Sequence, residues 1–108
     1  MTKVSLHKCA TYDEAVVKEA VIELLRPLGG MKAFVKPGCR VMLKPNFLSS
    51  KPLEAAVVTH PAVIKAVAEL VIESGGVPYI GENPSTESAE KVLMKIGMKK
   101  WLDDKGIK

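Results

Sequence analysis

From Val4 to Lys8 apolar and polar side chains alternate (Val4-Ser5-Leu6-His7-Lys8), the period of a strand with one buried face. The period then lengthens. Val17, Ala20, Val21, Leu24, Leu25 and Leu28 recur at helical spacing, with Glu14, Lys18, Glu23 and Arg26 on the opposite side. Thr11-Tyr12-Asp13-Glu14, ahead of this run, has the form of a capping box in which Thr11 caps and Glu14 reaches back. Gly29-Gly30 closes the helix. Lys36-Pro37-Gly38 is a turn signal, and Arg40-Val41-Met42-Leu43-Lys44 reads as a short buried strand stopped by Pro45. Residues 45–59 form a long connection, a length that in compact domains tends to accompany function.

Thr59-His60-Pro61 opens a second helix, with Pro61 at its first turn. Within 62–73 the polar positions are Lys65, Glu69 and Glu73, each four apart, so this helix shows water one narrow stripe and is otherwise covered. Gly75-Gly76 ends it, and Val77-Pro78-Tyr79-Ile80-Gly81 is the next strand, with Pro78 marking its start or an edge. After the loop Glu82-Asn83-Pro84-Ser85-Thr86, a third helix is lined by Ala89, Val92, Leu93 and Ile96 and ended by Gly97. Met98 to Lys108 contains no clear strand, although Asp104-Lys105-Gly106-Ile107-Lys108 reads as a lead into one.

The expected fold is therefore α/β, a small parallel sheet with helices packed on it in the order β-α-β-α-β-α. Three strands make a small sheet, and the apolar second helix asks for more cover than the chain obviously offers. The expectation is a single α/β domain over residues 1–108 that is incomplete, the N-terminal fragment of a longer protein, or one that associates with a second copy. The sequence shows no internal repeat.

Composition narrows the setting. The chain has 108 residues, 47% hydrophobic and 26% charged, which excludes disorder as the default. No apolar run approaches the ~18 residues of a membrane helix, and residues 1–9 lack the apolar core of a secretory signal. The expected setting is the cytoplasm, with no membrane partner. Net charge is +4, but residues 1–90 hold ten Lys/Arg and ten Asp/Glu, so the excess lies in residues 91–108. There Lys91, Lys95 and Lys99 share one helical face, with Glu87 one turn before Lys91. A solvated lysine face explains this better than a phosphate stripe, since no arginine and no nucleic-acid motif accompany it. Cys9 and Cys39 stand thirty residues apart and belong to no CxxC pair, so no metal site is expected in this chain.

Candidate chemistry follows from topology. In open parallel sheets ligands bind beyond the carboxyl ends of the strands. Lys44 and Asn46 follow the second expected strand, Thr59 and His60 sit at a helix N-terminus, and Glu82 and Asn83 follow the third. Lys44 supplies charge, Asn46 and Thr59 hydrogen bonds, Glu82 a base or a cation ligand, and the helix start free N–H groups for an anion. Taken singly each has a plainer role: Lys44 snorkelling, Asn46 in a turn, Thr59 as a cap, His60 as the residue before a proline, Glu82 and Asn83 on a loop surface. Together they point to a polar ligand site. GxGxxG, Walker A, HExxH and GxSxG motifs are absent.

Several segments taken together resemble a known family. They are Val4 to Cys9 with Tyr12-Asp13, Val35-Lys36-Pro37-Gly38, Val41-Met42-Leu43-Lys44-Pro45-Asn46, Val58-Thr59-His60-Pro61, and Glu73-Ser74-Gly75-Gly76 running into Ile80-Gly81-Glu82-Asn83-Pro84. The sequence resembles, from about Val4 to Ile96, the N-terminal part of the uncharacterised proteins called domain of unknown function 362. The ordered Lys-Pro-Asn and Thr-His-Pro segments are its most specific features. The resemblance implies a longer protein, commonly described as iron–sulfur-cluster-binding or electron-transfer-linked, and places Lys44, Asn46, Thr59, His60, Glu82 and Asn83 at the family's most recognisable polar positions. This chain departs from the family in having no ferredoxin cysteine set, so no cofactor is expected within it, and a [4Fe–4S] cluster would belong to a longer parent.

Three readings follow. The first is a domain of an iron–sulfur, electron-transfer-linked protein with a redox partner and a small polar ligand. The second is a small-anion or phosphorylated-metabolite module without redox chemistry. The third is a structural or self-association domain. Nucleic-acid binding ranks last, because residues 1–90 are neutral.

Overall fold

A computed structural model describes residues 2–45, 59–81 and 97–107 of the chain. Within them the order is α1 (Glu14–Leu25), β1 (Arg40–Leu43), α2 (Pro61–Glu73), β2 (Val77–Ile80) and α3 (Lys99–Lys105). Two 3-10 turns, Arg26–Leu28 and Met31–Ala33, link α1 to the sheet. The fold is a small α/β domain.

The two strands pair in parallel, Arg40 opposite Val77 through Leu43 opposite Ile80. Their crossover is α2, the only economical way to join neighbouring parallel strands. The Val77 and Gly81 N–H groups donate to the Cys39 and Leu43 carbonyls at 2.8 and 2.9 Å. Pro78 falls between them in the alternation, where a parallel strand directs its N–H away from this neighbour. That is why a proline sits in β2 at no cost to the ladder.

Helix α2 is the centre of the molecule. Ala62 and Ala66, one turn apart, pack with Val17 of α1; their small side chains let the two helices approach closely. Ile64 and Ala68, on another face, join Met98, Leu102 and Ile107, with Leu43 and Ile80 of the sheet against them. Much of the apolar surface of α2 is covered from within the chain, while Ile72 stays 42% exposed. Its polar stripe faces α1 as well as water. Lys65 pairs with Glu14 at 2.9 Å, and Lys18 with Glu69 at 3.0 Å and Glu73 at 2.5 Å. These two carboxylates raise the Lys18 pKa, hydrogen bonding to Glu73 being the largest cause and Glu69 the next.

Two expectations are corrected. No strand forms at Val4 to Lys8: Val4 and Leu6 are exposed, and the segment is fixed instead by Ser5 Oγ donating to the Leu24 carbonyl at 2.5 Å. The cap of α1 is Asp13, whose carboxylate accepts from Val16 N–H at 3.1 Å, while Thr11 Oγ1 accepts from Asp13 N–H. Asp104 to Ile107 closes α3. Gly106 adopts φ 71° after α3, Gly106 and Ile107 N–H return to the Asp103 and Leu102 carbonyls, and Ile107 packs into the core beside Leu102. This is a Schellman ending with its hydrophobic contact.

The third expected helix, lined by Ala89 to Ile96, lies outside the described residues, as do Lys91 and Lys95. Lys99 belongs to α3, beyond the turn at Gly97, and pairs with Asp103 at 2.9 Å, as Lys100 does with Asp104 at 2.8 Å. Lys99 and Lys100 are thus partnered by local carboxylates, and Lys105 lies over the Trp101 ring at 5.8 Å.

Candidate functional site

The parallel register brings the carboxyl ends of β1 and β2 together, tied by Gly81 N–H to the Leu43 carbonyl. Lys44 follows Leu43 directly and is exposed; Pro45 after it is buried. The start of α2 returns to the same end of the sheet. A concavity of about 300 Å³ opens there, lined by Leu43, Lys44, Pro45, Thr59, Val63 and Val67. Its wall is apolar, and Lys44 and Thr59 bring the polar groups, the usual make-up of a small-ligand site.

His60 is the N-cap of α2. Its Nδ1 accepts from the Ala62 N–H at 3.1 Å. A ring nitrogen that accepts carries no proton, so in the neutral imidazole the hydrogen is on Nε2. The ring also lies flat against Tyr12, centroids 3.8 Å apart and planes within 3°.

This arrangement changes the expected chemistry of the helix start. Pro61 has no N–H, Ala62 N–H is taken by His60, and the N–H groups of Val63 and Ile64 go to the His60 carbonyl at 3.0 and 3.3 Å. The first turn of α2 therefore offers an anion no free amide unless His60 moves. At this end of the sheet Lys44 and Thr59 bring polar side chains to the concavity, and His60 follows Thr59 in the chain with its ring against Tyr12.

Of the expected site residues, Lys44 and Thr59 line one concavity, and His60, next to Thr59 in the chain, is not among its lining residues. Asn46, Glu82 and Asn83 lie outside the described residues; their chain neighbours Pro45 and Gly81 are at this end of the sheet. Tyr12 is the contact that sequence reasoning missed, and no local pattern ties it to His60. A second groove, about 390 Å³, runs beside the N-terminal segment and is lined by Cys9, Tyr12, Val17, Val21, Leu24 and Val63, among others.

A cluster of three or more His, Cys, Asp or Glu side chains suited to a metal is absent among the described residues. Cys9 is exposed in the irregular N-terminal segment, and Cys39 is half-buried just before β1, at the far end of the strand from Lys44. With two cysteines in all, so placed, the residues do not fit a four-cysteine iron–sulfur cluster. No helix among the described residues is long and apolar enough to cross a membrane.

The fold is a parallel α/β domain with a small, mostly apolar concavity at its strand ends that Lys44 and Thr59 border. The chain belongs to the family described as domain of unknown function (DUF362), whose model matches residues 41–108, from β1 to the last residue. It is 45% identical over 94 residues to the thylakoid-associated protein sll1697 of Synechocystis sp., a match covering 87% of this chain and 29% of that relative. The chain thus spans under a third of the length of the relative it matches. No solved structure matches it.

Proposed function

We propose that the chain is the N-terminal, ligand-binding domain of a longer electron-transfer-linked protein, and that its strand-end pocket takes a small anion bearing phosphate or carboxylate. The observation that supports the ligand reading is the meeting of both strand ends with the start of α2, which sets Lys44 and Thr59 around one concavity beside His60. Lys44 supplies the opposite charge, Thr59 and His60 Nε2 neutral hydrogen bonds. Asn46, Glu82 and Asn83, adjoining in sequence, complete the site in this reading.

The redox half of the proposal rests on the family resemblance. The cysteines of this chain do not fit a cluster, so any [4Fe–4S] group belongs to another part of the longer protein, and the present domain holds the ligand. In this reading the protein works in the cytoplasm.

Thermal unfolding of the chain with inorganic phosphate and with citrate tests the ligand half. A saturable rise in Tm, lost in Lys44→Ala, is the expected result; no rise with either anion refutes it. Iron and acid-labile sulfide analysis of the full-length gene product tests the other half. A cluster is expected, and a product without iron refutes the electron-transfer reading while leaving the anion module standing.

A further inference from the structure

We propose that Tyr12 is a positioning residue for His60, so that the strand-end site extends into the irregular segment ahead of α1. The proposal rests on the reading above only in giving His60 a ligand to meet; the posture of His60 is a separate, measurable matter.

Two contacts define that posture. The stack on Tyr12, with planes within 3°, fixes the plane of the imidazole. The bond from Ala62 N–H to Nδ1 selects which edge of the ring faces the helix. Neither contact does both jobs. A stacked ring can turn over in its own plane, and a capping ring without the stack can tilt about its side-chain torsions. Histidine is not among the favoured capping residues, which are short and reach the helix amides with few free torsions. An imidazole cap therefore needs outside support, and Tyr12 supplies it. The product of both contacts is a ring held in one plane and one flip state, with its hydrogen on Nε2 in the neutral imidazole.

Tyr12 is itself held. Its neighbours Thr11 and Asp13 bond to each other, Asp13 N–H to Thr11 Oγ1 at 3.1 Å, and Asp13 anchors to α1 through Val16 and Val17 N–H. Yet Tyr12 is 61% exposed. Burial does not explain its place, so its removal should spare the fold and alter His60.

The test uses the whole chain labelled with 15N, with the His60 ring signals assigned against His60→Gln. In the native protein Nδ1 should resonate as an unprotonated and Nε2 as a protonated nitrogen, and the Ala62 amide should be protected from exchange. In Tyr12→Ala both ring signals should move toward the average of exchanging tautomers, and Ala62 exchange should quicken about fivefold, as expected for loss of a typical cap. Tyr12→Phe keeps the aromatic face and should restore both readouts. Should Tyr12→Ala fail to fold, Tyr12→Leu, similar in bulk without the ring, takes its place against Tyr12→Phe. A single Nε2–H tautomer with a protected Ala62 amide in the Ala or Leu variant overturns the proposal, and so does a Phe variant that behaves like Ala. Titration of the native chain with inorganic phosphate separates the two ideas: His60 signals that ignore phosphate remove the ligand reading and leave the tautomer result to decide the role of Tyr12.

Discussion

Gly76 is a tight point of the fold, walled by buried side chains, and changing it to alanine tests the packing that sets β2 against β1. Gly75 and Gly76 end α2; their N–H groups return to the Ile72 and Val71 carbonyls at 2.9 Å each, and the chain enters β2 one residue later. A Cβ on Gly76 would lie 2.5 Å from Val35 Cγ1, 2.9 Å from Val71 Cγ1 and 3.3 Å from the Val71 carbonyl oxygen. Val35 is 4% and Val71 1% exposed, so neither can swing into solvent. Overpacking of this kind costs about 1–3 kcal/mol. Against it stands a gain of about 0.4–1 kcal/mol, because alanine restricts the unfolded chain. The net expectation for Gly76→Ala is about 1–2 kcal/mol of destabilisation, a Tm lower by roughly 5–10 °C for a domain of this size. Urea unfolding of both proteins gives the difference directly. Val35→Ala removes the nearest obstructing methyl, so the double variant should lose less than the sum of the single losses, by about 1 kcal/mol. Gly76→Ala as stable as the native chain, or strictly additive effects, would refute the steric account.

Further expectations bear on other parts of the structure. Met98 is fully buried between α2 and α3, and Met98→Ala should cost about 2–5 kcal/mol in urea unfolding; a loss below about 1 kcal/mol would mean that residues 98–107 do not complete the core. Asp13→Ala removes the cap of α1 and should cost about 1 kcal/mol, with Asp13→Ser recovering most of it. Lys18 has its pKa raised by Glu73 and Glu69, so its stabilising effect is complete below the ordinary lysine value and is lost as pH rises through the higher folded value. The stability difference between the native chain and Lys18→Met, at most about 1 kcal/mol for so exposed a pair, should hold constant near neutrality and shrink above about pH 10.4; a difference that grows with alkali contradicts the sign.

The sequence made most of the fold legible where local chemistry decides it. The apolar spacing from Val17 to Leu25, Pro61 at a helix start, the paired glycines after α2, and the strands at Arg40 and Val77 all fall where those signals put them, while α1 passes into a 3-10 turn over Arg26–Leu28 before Gly29-Gly30. Val4 to Lys8 misled because alternation describes a strand only when a partner strand is beside it, and no local signal reports the partner. Asp13 displaced Thr11 as cap since both residues carry suitable oxygens and the backbone chooses between them. Helix α3 went unseen: seven residues are too few to show a period, and its stability comes from Met98, Leu102 and Ile107 in the core. That Lys44 and Thr59 would come together was legible because parallel topology sends strand ends and helix starts to one side. That His60 would occupy the helix amides itself was not, for capping by imidazole depends on Tyr12, a contact made in tertiary structure alone.

The account turns on whether Lys44, Thr59 and His60 act as one site. Backbone and histidine-ring NMR of the full chain, titrated with inorganic phosphate, reads this residue by residue. Saturable shifts centred on Lys44, Thr59 and His60, abolished by Lys44→Ala with the rest of the spectrum unchanged, are the predicted result. Shifts confined to the lysines of residues 91–108, or none at all, would contradict a ligand site at the strand ends.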